Sequence, residues 1–176
     1  IGSEHYLALQ QGEDGVFRRL VMVKKLSSLL RDSARTEMMR EVKAAASLSH
    51  PNVVRVFGAE RSGGQLLICM EYIRGHGLGE LLDGLRAAEA EIPIGVFMRL
   101  LLQACEAIDY AQRAVDIGGH PLCLVHRNIS PDSIKVDEEG YLRVIDFGLS
   151  KFAKAEDATL PGQVKGTLGY MPLEQM

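Results

Sequence analysis

The stretch from Leu124 to Gly148, LVHRNISPDSIKVDEEGYLRVIDFG, constrains the fold most, because it sets two short polar motifs among three apolar runs. Cys123–Val125, Ile134–Val136 and Leu142–Ile145 are short and rich in β-branched residues, and each is predicted to be a strand. His126-Arg127-Asn128 follows the first run and Asp146-Phe147-Gly148 the third. Both motifs therefore fall at strand ends, where side chains converge on a ligand. Asp137-Glu138-Glu139-Gly140 is the turn between the second and third runs.

Upstream, Arg19 to Leu26 alternates as a strand, with Leu20, Met22 and Lys24 on one face and Val21, Val23 and Lys25 on the other. One lysine thus faces inward. A helix is predicted from a cap at Asp32 or Ser33 to about Leu48, with Met38, Val42 and Ala45 on one stripe and Glu41 flanking it. Val53–Ala59 and Gln65–Tyr72 read as a hairpin turning at Arg61-Ser62-Gly63-Gly64. Gly75-His76-Gly77-Leu78-Gly79 does not have the spacing of a dinucleotide loop and reads as a flexible connector. It leads into a helical run over Glu80–Ala90. Pro93 opens a long helix to Ala111, whose Ile94, Phe97, Met98, Leu101, Cys105 and Ile108 recur at helical spacing and are expected in the core. Asp116 to Pro121 is a loop leading back to the strand cluster.

Composition excludes several function classes. A chain of 176 residues with 47% hydrophobic content buries a real core, as one domain or two small lobes. Its net charge of -3, with both signs interspersed, offers no basic face to nucleic acid or an anionic membrane. The apolar window Ile92 to Ala111 carries Arg99, Glu106 and Asp109, too much charge for a spanning helix. Cys69, Cys105 and Cys123 lie in apolar runs without metal-ligand spacing, which reads as buried, reduced thiols in a cytoplasmic protein. The start at Ile1 and the stop at Met176, directly after a structured-looking motif, read as a piece of a longer protein.

An inward lysine, a glutamate on the next helix, H-R-x-x-x-P-x-x-I-x-V, D-F-G and Gly166-Thr167-Leu168-Gly169-Tyr170-Met171-Pro172-Leu173-Glu174 occur in one order. That order resembles the eukaryotic-type protein kinases, and most of all their bacterial serine/threonine branch. The resemblance implies an α+β, two-lobe fold: a small antiparallel sheet lobe with one helix over residues 1–72, a hinge over 73–79, and the front of a mainly helical lobe over 80–176. It implies ATP and Mg²⁺ as cofactors and a protein substrate or partner. Lys24 would hold the α- and β-phosphates and pair with Glu41, and Asp146 would bind the metal. Met70 falls at the gatekeeper position, with Glu71-Tyr72-Ile73 as the hinge that meets adenine. His126 and Phe147 would stack in the core with Ala45 and Val56. Arg127 would dock the segment from Gly148 to Glu174, in which Thr159 is the candidate phosphosite, Thr167 the substrate-positioning hydroxyl and Tyr170 a further hydroxyl.

Departures from the family pattern bear on activity. The catalytic aspartate is Asn128, which orients a hydroxyl but cannot ionise, a loss of roughly 10²–10⁴-fold, or about 3–5 kcal/mol of barrier. The metal-ligand asparagine is Ser133, a weaker contact, and Ser130 stands where many members carry lysine. Met22 replaces the usual alanine above the base, and Lys135 replaces an apolar floor at a desolvation cost. Ile1-Gly2-Ser3 begins like the glycine-rich loop, but Glu4-His5-Tyr6 continues without further glycines. These departures point to a pseudokinase, with a weakly active kinase and a non-functional gene fragment as the alternatives. The apolar long helix, without the family's further helices, is expected to leave the piece marginally stable or dimeric.

Overall fold

The computed structural model describes residues 4–12, 14–26, 32–147 and 168–170. Its upper part is a four-stranded antiparallel sheet of β1 (Glu4–Gln11), β2 (Arg18–Leu26), β3 (Val56–Ser62) and β4 (Gln65–Glu71), ordered β1-β2-β4-β3. Helix α1 (Asp32–Ala46) links β2 to β3. Alternation along β2 separates the two lysines: Lys24 is 1% exposed, while Lys25 lies on the other face, 2.7 Å from Glu4. Met38, Val42 and Ala45 of α1 are buried against Leu66, Ile68 and Met70 of β4. Each such apolar side chain contributes about 1.5–3 kcal/mol relative to exposure, apart from the smaller Ala45.

Two local readings of this sheet change. Residues 4–11, not anticipated as a strand, pair with β2 along their whole length, from Glu4 opposite Lys25 to Gln11 opposite Arg18. Pairing identifies this strand, since its polar and apolar residues barely alternate. The strand expected over Val53–Ala59 instead starts at Val56, because the residues before it pair downwards. Val53 forms a parallel bridge with Val144, the Val54 N–H donates to the Val144 carbonyl at 2.9 Å, and the Val144 N–H donates to the Asn52 carbonyl at 2.8 Å. The β3–β4 turn has Gly63 and Gly64 at φ 57° and 80°, the left-handed pair that a two-residue hairpin needs.

The lower part contains β5 (Gly75–Gly77), α2 (Leu78–Ala87), α3 (Ile94–Arg113), a 3₁₀ turn at Pro131–Ser133, β6 (Ile134–Asp137) and β7 (Leu142–Val144). Strands β5, β6 and β7 form an antiparallel sheet in that order. The connector expected to be flexible is therefore a strand, and Gly75 allows it: a Cβ there would run into the Val136 carbonyl. Cys123–Val125 is not a strand. Leu124 is 3% exposed and Val125 50%, so one anchoring side chain, rather than an edge to pair with, places this run.

Helix α3 turns a different face inward from the one expected. Gln103, Ala107 and Ala111 are buried, whereas Ile94, Phe97, Met98 and Leu101 are 46–74% exposed. Apolar residues ring much of this helix, so periodicity alone does not select the face that meets the sheet. Cys105 and Cys123 are exposed and Cys69 half-buried, which corrects the expectation of three buried thiols.

A buried amide network joins the two parts. Asn52 Nδ2 donates to Gln103 Oε1 at 2.9 Å and to the Leu142 carbonyl at 2.8 Å, and the Leu142 N–H donates to Gln103 Oε1 at 2.8 Å. Asn52 and Gln103 are 4% and 8% exposed, so these bonds have no water to replace them.

Candidate functional site

Strand β2 carries Lys24 into the cleft between the two parts, where its Nζ lies 2.8 Å from Asp146 Oδ2. The side chains are 2% and 20% exposed. The expected Lys24–Glu41 pair does not form among the described residues: Glu41 Oε1 lies 3.8 Å from Arg127 Nη1 instead. The partners of both ion pairs include a residue of unusual backbone conformation. Arg127 and Asp146 sit at φ 63° and 64°, a left-handed conformation costing non-glycine residues about 1–3 kcal/mol. These two strained residues supply the charges that meet Glu41 and Lys24.

The loop around Asn128 is built as a rigid support. His126, 5% exposed, donates from Nε2 to the Ile145 carbonyl at 2.7 Å, which leaves Nδ1 to accept the Asn128 N–H at 3.4 Å. Burial pushes the His126 pKa below the ordinary imidazole value and so favours this neutral form. The Phe147 ring meets His126 edge to face at 4.8 Å. The stack expected to continue through Ala45 and Val56 is divided, since Phe147 packs in the lower core and those two residues in the upper one. Asn128 itself is half-buried at the head of this loop.

Ser133, expected as a weak metal contact, is placed otherwise. Its hydroxyl donates to the Ser130 carbonyl at 2.8 Å and accepts the Ser130 N–H at 3.0 Å, and the residue is 5% exposed. The hydroxyl proton and one of its two lone pairs are thus engaged within the 3₁₀ turn. Mg²⁺ asks for a near-octahedral set of oxygen donors, including one or two carboxylates. The residues here offer Asp146, already paired with an ammonium, and no group of three or more His, Cys, Asp or Glu among the described residues is placed to hold a metal. Of the described residues at the expected metal positions, Asp146 would be the one carboxylate to hold the ion, through the oxygen that Lys24 leaves free.

On the side expected to meet a base, Met70 and Ile73 are 5% and 7% exposed and belong to the upper core. Met22, half-buried, lies opposite Met70 in register. The Glu71 N–H donates to the Arg55 carbonyl at 2.8 Å. Lys135 is half-buried on β6, paired with Gly77 on one side and Arg143 on the other. His5 is a residue of this cleft that the sequence reading did not single out. It stands opposite Lys24 on β1, and its pKa is lowered by burial and by the charges of Lys24 and Lys135, against an opposing pull from Asp146. Register with the inward lysine is the signal that finds it. Thr159, Thr167, Gly148 and Ile1-Gly2-Ser3 lie outside the described residues, and Tyr170 is exposed in a single 3₁₀ turn.

Comparison with known proteins shows what the chain is similar to. A family model described as protein tyrosine and serine/threonine kinase matches residues 6–176. The chain is 34% identical over 174 residues to the tyrosine-protein kinase MasK of Myxococcus xanthus, covering 98% of this chain and 27% of MasK. It is 32% identical over 169 residues to the serine/threonine-protein kinase pkn3 of the same species, covering 89% of this chain and 28% of that protein. Among solved structures, the kinase domain of PknI from Mycobacterium tuberculosis superposes with a TM-score of 0.64 at 27% identity, covering 81% of this chain and 53% of that chain. The chain thus spans about a quarter of these curated relatives and about half of that kinase structure. Among the described residues, no helix is long and apolar enough to cross a membrane.

Proposed function

The chain belongs to the protein tyrosine and serine/threonine kinase family, and on that premise we propose that it is a pseudokinase of the bacterial serine/threonine type. It holds ATP in the cleft and acts on a protein partner through binding, with phosphoryl transfer to protein hydroxyls strongly impaired. One observation carries this reading: the loop that presents the catalytic position keeps its support, yet an amide stands at its head. His126 is hydrogen-bonded at both ring nitrogens, Arg127 holds its left-handed turn and the Ser130–Ser133 box closes the turn that follows Asn128. A loop so well braced positions whatever residue it carries, and Asn128 cannot take a proton.

The ion pairs support the same conclusion. Phosphoryl transfer in this family needs the strand lysine on the helix glutamate while the D-F-G aspartate is on its metal. Here Lys24 meets Asp146 and Glu41 meets Arg127. Lys24 remains the group placed to hold phosphate oxygens, with Met22, Met70, Glu71, Ile73 and Lys135 lining the base side. Arg127, which lies 3.8 Å from Glu41, has a regulatory role in this reading, and Thr159 and Thr167 of the following segment are its candidate partners. The exposed apolar residues of α3 support a covering surface, such as a second copy of the chain.

Transfer of labelled phosphate from ATP to the protein or a general substrate is expected to stay at background. Transfer that Asp146→Ala abolishes would overturn the proposal. The intact Lys24–Asp146 cleft favours one other reading, a weakly active kinase. A gain of roughly 10²-fold or more on Asn128→Asp would reveal machinery waiting for its base; no gain, even with Ser133→Asn added, would count against it.

A further inference from the structure

We propose that a second cavity, walled by Arg19, Arg55 and Arg143, binds a phosphate monoester carried on a side chain of a protein partner. The cavity measures about 380 Å³, and Ser49, Phe57 and Glu71 also line it. Strand alternation separates it from the cleft. Arg19 lies on the face of β2 opposite Lys24, and Glu71 follows the buried Met70 on β4 and so turns away from the upper core. The proposal therefore does not rest on the nucleotide reading above.

Two of the cations are held in place without being neutralised. Arg19 Nε donates to Gln10 Oε1 at 2.7 Å, and its guanidinium carbon lies 3.4 Å from the centre of the Phe57 ring. Both of its Nη groups are left to a ligand. Arg55 Nη2 donates to Ser49 Oγ at 3.3 Å, which leaves Nε and Nη1. Among the described residues, neither arginine forms an ion pair. Arg143 is partly offset: Asp137 Oδ2 lies 3.5 Å from both its Nε and its Nη2, and the buried Nε makes no hydrogen bond.

Charge and shape select the ligand. Glu71, whose Oε2 accepts the Arg55 N–H at 3.3 Å, is the one carboxylate among the lining residues. Three guanidiniums stand against it and Asp137, so positive charge remains in excess, and an anion from outside relieves the repulsion among them. A phosphate monoester brings about -1.5 to -2 charges and three acceptor oxygens, which arginine forks bond bidentately. The arginines come from β2, from the segment before β3 and from β7, so they reach a tetrahedral group from different sides, whereas a flat carboxylate suits a single fork. The cavity is larger than a phosphate alone, which leaves room for the side chain that bears it, and exposed Arg55 puts one wall at the surface.

The experiment is a fluorescence-anisotropy titration of the whole chain with a labelled peptide of alanine and glycine around one phosphoserine, and with its unphosphorylated counterpart. Saturable binding of the phosphopeptide, at least about tenfold tighter than the counterpart, is expected. Arg19→Met and Arg55→Met should each weaken it by about tenfold while thermal melting stays near wild type. Equal binding of the two peptides, or saturable binding of neither, would overturn the proposal. Unchanged affinity in both folded variants would overturn the location. Inorganic phosphate that displaces the phosphopeptide at or below the peptide's own dissociation constant would overturn the assignment to a protein partner and leave the free anion as the occupant.

Discussion

Asp146→Ala is expected to cost the fold more than Lys24→Met does, although both break the same ion pair. The pair is asymmetric: Lys24 is 2% exposed at the side chain and Asp146 20%, with 2.8 Å between Nζ and Oδ2. Removing Asp146 strands an ammonium where water does not reach, and breaking a buried pair in this way costs about 3–5 kcal/mol. Removing the lysine leaves a carboxylate that keeps part of its hydration, and the methionine still fills the site, so the cost falls to about 1–2 kcal/mol. Replacing both, as Lys24→Met with Asp146→Leu, should come out less damaging than Asp146→Ala alone, because no uncompensated charge remains. Urea denaturation followed by circular dichroism measures this. With a slope of roughly 2 kcal/mol per molar urea, Asp146→Ala should lower the midpoint by roughly 1.5–2.5 M and Lys24→Met by less than about 1 M. Equal shifts for the two single variants, or a double variant worse than Asp146→Ala, would refute the argument from burial.

Other expectations follow from neighbouring contacts. The Glu41–Arg127 pair should couple by less than about 1 kcal/mol in a double-mutant cycle of Glu41→Gln and Arg127→Gln, because it spans 3.8 Å and the guanidinium is 43% exposed; the same urea titration decides it. Asn52→Ala, which leaves the buried Leu142 carbonyl without its side-chain donor and Gln103 Oε1 with the Leu142 N–H alone, should cost about 2–4 kcal/mol and be visible as early melting of both parts together. His126 has its folded pKa lowered, so the unfolded chain binds a proton that the native one refuses as pH falls below the ordinary imidazole value of 6.5. Its contribution is therefore complete above that pH and lost progressively below it, at up to about 1.4 kcal/mol per pH unit. A His126→Phe variant should show a flatter decline in melting temperature between about pH 6.5 and 5.

The parts of the fold legible in the sequence are those set by local rules. Alternation along β2 turned one lysine inward, which the family resemblance named as Lys24, helical spacing put Met38, Val42 and Ala45 on one face, and Gly63-Gly64 marked the hairpin. Charge pairing was not legible, because the resemblance offers Lys24 both Glu41 and Asp146 as neighbours and the order of residues does not say which carboxylate its ammonium meets. The inward face of α3 was lost for a different reason. A helix apolar around much of its girth names its partner only through contacts such as Gln103 with Asn52, which lie far apart in the chain. His5 escaped notice because its place opposite Lys24 depends on cross-strand register, and the hydrogen bonds of Ser133 because a serine in a short turn reads the same whether its hydroxyl faces a ligand or its own backbone.

The central claim is that this cleft binds a nucleotide and does not turn it over. Isothermal titration of ATP into the protein, followed by chromatography of the recovered nucleotide and phosphoprotein staining of the chain, tests it in one sample. Saturable heat with ATP recovered intact and no phosphoprotein is the expected result. Conversion of ATP to ADP with phosphate on the protein, or no binding heat at all, would contradict it.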